Sequence, residues 1–146
     1  MALVPNVART EAGYFLDVEP LREAKVDDLQ SLASAIEQAM AAGNPRVPTP
    51  TRAAFPKKPY ILKSAGVRTW KELERTGAAF TILGGDELEI AETGRNEDGE
   101  WIDAPSLNQK LAASSSAFEI AKRIAERVSQ RADLQPGSEG RKTSGG

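Results

Sequence analysis

The stretch Ala78–Ile102, AAFTILGGDELEIAETGRNEDGEWI, decides the fold of this chain. In it Leu88 and Ile90 alternate with Glu87 and Glu89, the period of a strand with one dry face and one wet, acidic face. Ala78–Leu83 reads as a strand before it, and Gly84-Gly85-Asp86 supplies the tight turn between the two. Gly94–Gly99 (GRNEDG) is dense in turn formers and leads into a third strand at Glu100-Trp101-Ile102. The segment therefore predicts antiparallel pairing, with Trp101 packed on the sheet.

Upstream, Thr69–Thr76 (TWKELERT) carries a capping box, Thr69 with Glu72, and ends at Gly77. It reads as a short helix with Trp70 and Leu73 on its inner face. Tyr60–Ala65 (YILKSA) reads as a short strand. Asn44–Pro59 holds five prolines in sixteen residues, a composition that forbids an internal strand or a full helix and predicts an irregular connector. Such a connector either reduces unfolded-state entropy in a long crossover or serves as a recognition loop. Leu29, Leu32, Ala33, Ile36 and Met40 share one face of a helix that Asp27 caps, with Gln30 three residues on and Gly43 at its end. Gly13–Pro20 (GYFLDVEP) alternates as a strand closed by its proline.

Downstream, Ser106–Leu111 reads as extended. Ser116 and Glu119 form a second capping box, opening a helix whose apolar face is Ala117, Ile120, Ala121, Ile124 and Val128. Its Lys122, Arg123, Arg127 and Arg131 are expected to face water or to favour the C-terminal end. After about Asp133 the Gly- and Ser-rich residues 134–146 predict a disordered tail. The sum is an α+β fold with one small antiparallel sheet, two main helices and one short helix, in a single domain over residues 1–133.

The 146 residues include no histidine and no cysteine. That removes the usual near-neutral acid–base group, the commonest metal ligands and any disulfide framework. Gly84-Gly85 and Gly94 lack the strand–loop–helix setting of a phosphate loop. Ser114-Ser115-Ser116 has no histidine to activate it, and Asn96-Glu97-Asp98 does not follow the ligand spacing of a calcium loop. The reading is a protein without catalytic residues, cofactor or metal. No membrane-spanning run and no secretory leader pattern is present, so the cytoplasm is the expected compartment.

Charge is unevenly placed. Arg46–Arg75 holds eight basic residues against two acidic ones, whereas Asp86–Asp103 holds eight acidic residues against Arg95 alone. These are either two solvated faces or, for the second segment, an acidic surface for a basic partner. A net charge of −2 argues against direct nucleic-acid binding. Two tryptophans near expected core faces do not make a base-stacking platform. The residues chosen as the partner contact are Asp86, Glu87, Glu97, Asp98 and Glu100.

VPTPTRAAFPKKPYILKSAGVRTW at Val47–Trp70 resembles the central segment of immunity proteins from bacterial contact-dependent growth inhibition systems. GRNEDGEWIDAP, the serine-led last helix and YFLDVEPL with the first helix extend the likeness over about Tyr14–Arg131. The resemblance implies an antitoxin-like protein whose partner is the cognate toxin domain of a large secreted effector, commonly a nuclease. It carries over no catalytic residue. The alternative is a small non-catalytic regulatory or scaffold protein that binds another host protein, with Asn44–Pro59 as its recognition loop. A carboxylate-dependent enzyme would need a pocket with two acids of separated pKa.

Overall fold

The computed structural model describes residues 1–50, 60–84 and 86–134. Its elements are mixed α and β, and they cluster into two compact units, Met1–Arg68 and Thr69–Gly146.

The first unit is built on a hairpin of β1 (Ala2–Thr10) and β2 (Phe15–Ala24). Its ladder runs from Ala2 opposite Ala24 to Arg9 opposite Phe15, with a register shift between Pro5 and Asn6 that leaves Glu19 and Pro20 outside it. The Glu19–Pro20 peptide is cis. The shift explains how two strands tolerate prolines, which cannot donate to a ladder and collect at bulges. It also lets β2 continue to Ala24, past the proline expected to close it. β1 had no counterpart in the sequence reading, because ALVPNVART neither alternates nor lacks proline. The fully buried Thr10 hydroxyl donates to the Tyr14 carbonyl at 3.1 Å and accepts from the Tyr14 N–H at 3.3 Å, so its burial leaves nothing unpaired.

Helix α1 (Leu29–Ala42) packs on this hairpin and buries Leu32, Ala33, Ala35 and Ile36. Its cap is Asp28, one residue later than expected, whose Oδ1 accepts from the Ser31 N–H at 3.2 Å. The connector is not wholly irregular, since Arg46–Val47 forms a two-residue β3 lying parallel to β1 at Arg9 and Thr10. Its residues 51–59 lie outside the described part. Tyr60–Ala65 is a helix, α2, rather than a strand. The Gly66 N–H bonds the Lys63 carbonyl and the Val67 N–H bonds the Leu62 carbonyl, each at 3.1 Å. Those two bonds make a Schellman stop, which requires the positive φ that Gly66 adopts at 73°.

The second unit opens with α3 (Trp70–Thr76), capped by the Thr69 hydroxyl accepting from the Glu72 N–H. Trp70 is 44% exposed, not on an inner face. A single sheet follows, centred on β5 (Glu87–Arg95). β4 (Phe80–Leu83) pairs along one side, while β6 (Trp101–Asp103) and β7 (Gln109–Ala112) share the other, all antiparallel. Between β6 and β7 a 3₁₀ turn, Pro105–Leu107, replaces the first part of the expected extended piece. The chain thus holds two sheets where one was expected, and the first is mixed because β3 runs parallel.

Helix α4 (Ala117–Gln130) starts as expected, the Ser116 hydroxyl accepting from the Glu119 N–H at 3.2 Å. It buries Ile120, Ala121 and Ile124. It covers the β5 face carrying Leu88, Ile90 and Glu92, as the bonds from Arg127 to Glu92 and from Arg123 to Gln109 show. Burying each large aliphatic here contributes about 1.5–3 kcal/mol. A closing 3₁₀ turn at Ala132–Leu134 follows, and the rest of the expected tail lies outside the described residues.

Candidate partner-binding surface

The β5–β6 turn is held by its own backbone. The Asn96 N–H donates to the Glu100 carbonyl at 2.9 Å, and the Gly99 N–H donates to the Asn96 carbonyl at 3.1 Å. The Asn96 side-chain oxygen accepts from the N–H groups of Asp98 at 3.0 Å and Glu100 at 2.9 Å. Gly99 has φ 80°, and a Cβ there would stand 3.3 Å from the Arg75 Cγ, so conformation and space both favour glycine. On this braced turn Glu97, Asp98 and Glu100 carry carboxylates that make no ion pair with any described residue. Glu97, Asp98 and Glu100 are thus brought together.

Asp86 and Glu87 lie elsewhere. They sit at the opposite end of β5, where Glu87 pairs with Ala112, and both are exposed. With about 3.4 Å per residue, the nine residues of β5 separate the two acidic groups by roughly 27 Å. The five chosen residues are therefore two clusters, reachable together only by a partner that spans the whole strand. Between them, Glu89 lies on the open face, its Oε1 accepting from Asn108 Nδ2 at 2.8 Å. Asp103, opposite Thr93, is exposed on the same face.

Glu92 leaves the acidic surface altogether. Its side chain is 1% exposed, and its oxygens accept from Arg127 Nε at 2.6 Å and Nη2 at 3.2 Å and from Arg131 Nη1 at 3.3 Å. Hydrogen bonding to Glu92 raises the Arg127 guanidinium further above its ordinary value. Arg131 also donates to the Thr93 carbonyl at 2.7 Å and to Asp133, and Arg95 reaches Asp133 at 2.8 Å. Burial works to raise the Asp133 carboxyl, yet hydrogen bonds from Arg131 and Arg95 hold it below the usual carboxylate range. Arg95 further donates to the Glu74 and Gly77 carbonyls, and Trp101 Nε1 donates to the Gly77 carbonyl at 3.0 Å. This network fixes the strand end that displays the turn. Arg127 and Arg131 thus take the second of the two expected placements, the last turn and C-cap of α4, and their guanidiniums serve the interior rather than water.

Among the described residues no group of three or more potential acidic ligands could hold a metal ion, and no helix is long and apolar enough to cross a membrane. Comparison with protein-family models, curated proteins and solved structures finds no match.

Proposed function

We propose that this chain is an antitoxin-like immunity protein that acts in the cytoplasm, binding and neutralising the toxin domain of a contact-dependent growth inhibition effector, a nuclease, without catalysis. One observation carries the reading: Glu97, Asp98 and Glu100 stand on a turn whose backbone is already fixed, with no described cation neutralising them. Carboxylates presented this way need little reordering when they meet a basic groove, and complementary charge speeds the encounter. Speed is the requirement of an inhibitor that must reach a nuclease before nucleic acid does. Asp86 and Glu87 extend the acidic surface to the far end of β5.

The test is co-purification of this chain with any nuclease-type toxin domain that an adjoining reading frame encodes, followed by stopped-flow association at two salt concentrations. The expected result is a stoichiometric complex whose association slows with salt. Replacing Glu97, Asp98 and Glu100 by lysine should slow it at least tenfold. Unchanged kinetics in that variant would discard the acidic contact, and absence of any complex would discard the immunity reading itself.

A further inference from the structure

The face of β5 opposite α4 holds a cleft of about 280 Å³, whose lining includes Ala79, Thr81, Ala91, Asp103, Pro105 and Asn108; Glu92 also borders it, but its carboxylate is 1% exposed and committed to Arg127 and Arg131. Its floor is small and aliphatic, and no lysine or arginine lines it. The polar groups at its edge are carboxylate and carbonyl acceptors or hydroxyls, and a hydroxyl such as that of Thr81 can accept as well as donate. Asp103 carries an exposed carboxylate with no ion pair among the described residues. Asn108 spends an N–H on Glu89, which leaves its carbonyl oxygen as an acceptor. The nearby Thr93 hydroxyl oxygen accepts from the Ala79 N–H at 3.0 Å. Lys110, opposite Glu89 in the β5–β7 register, does not line the cleft.

We infer that this cleft seats one arginine side chain of the partner protein, with its guanidinium on Asp103 and the Asn108 oxygen and its methylene stem over Ala91 and Pro105. The volume is ample for a single long side chain. With Glu92 committed to Arg127 and Arg131 and Glu89 accepting from Asn108, one uncommitted carboxylate beside a neutral acceptor is too few ligands for a hard cation but matches the planar five-donor fork of arginine. An arginine anchored in a pocket is the kind of contact that concentrates binding energy at an interface. The inference rests on the partner being a basic protein, as proposed above, and adds an anchor that lies between the two acidic clusters and includes none of their residues.

The probe is N-acetyl-arginine methylamide titrated into the ¹⁵N-labelled full chain, with N-acetyl-citrulline methylamide as the uncharged isostere. The arginine compound is expected to shift the amides of Thr81, Ala91, Asp103 and Asn108 at millimolar concentration. The citrulline compound, and Asp103→Asn with either compound, should bind on the order of tenfold more weakly. Equal shifts from both compounds on the unaltered chain, or shifts centred on Glu97–Glu100, overturn the inference without recourse to any variant. Seating of arginine in a chain that captures no toxin domain keeps the cleft and discards the immunity reading. Toxin capture with no arginine shifts does the reverse.

Discussion

Glu92→Ala is the sharpest test of how the second unit is held together. The variant removes the carboxylate that Arg127 and Arg131 share, and their side chains are only 22% and 11% exposed. Breaking a buried ion pair from one side costs about 3–5 kcal/mol. Arg131 keeps the Thr93 carbonyl and Asp133, which places the expected loss near about 3 kcal/mol. Both tryptophans, Trp70 and Trp101, belong to this unit, so fluorescence during urea unfolding reports on it directly. With a slope of about 1.5 kcal/mol per molar urea, the midpoint should fall by about 2 M. Glu92→Leu combined with Arg127→Met should recover at least half of the loss, because an apolar pair strands less charge. A midpoint shift below about 0.5 M in Glu92→Ala would show that the pair is not buried in solution and would refute the argument.

Three further outcomes follow from local geometry. Gly66→Ala should destabilise the first unit by about 1 kcal/mol in thermal or urea unfolding, since no atom lies within 4 Å to clash and the cost is the positive φ alone. Asp133 has a lowered native pKa, so its contribution to stability is complete above the ordinary carboxyl range near about 4 and is lost as pH falls through the lowered value. Acid titration of stability should therefore be flatter in Asp133→Asn. Asn96→Ala removes the acceptor for two N–H groups, and hydrogen exchange at Asp98 and Glu100 should quicken by at least tenfold while the amides of β7 stay protected.

The α+β class and both capped helices of the second unit were legible because their signals are local: Thr69 with Glu72, and Ser116 with Glu119, name their own N-termini. Tyr60–Ala65 reads as a strand in sequence because six residues, YILKSA, are too few to show a period of their own. The signal that identifies it lies just after it, in Gly66 and Val67. Glu92 could have been placed by extending the alternation two residues past Ile90, which puts it on the dry face. Arg127 and Arg131, one helical turn apart, are the matching cations. Glu97, Asp98 and Glu100 fall together because they share a single turn, whereas the distance from them to Asp86 and Glu87 is set by the length of β5, which the sequence shows only once the strand's bounds are known. The cleft at Asp103 had no sequence signal, since its walls come from β4, β5, β6 and the 3₁₀ turn, and only pairing brings them together.

The β5–β6 turn assigns its structural duties narrowly. Asn96 supplies the bracing oxygen and Gly99 the left-handed backbone, while the side chains of Glu97 and Asp98 hold nothing in place among the described residues. On the proposed function, foldability and recognition are thereby written in different letters of the same short word. Substitutions at positions 97 and 98 would then alter which partner the protein meets while leaving the cost of folding almost untouched.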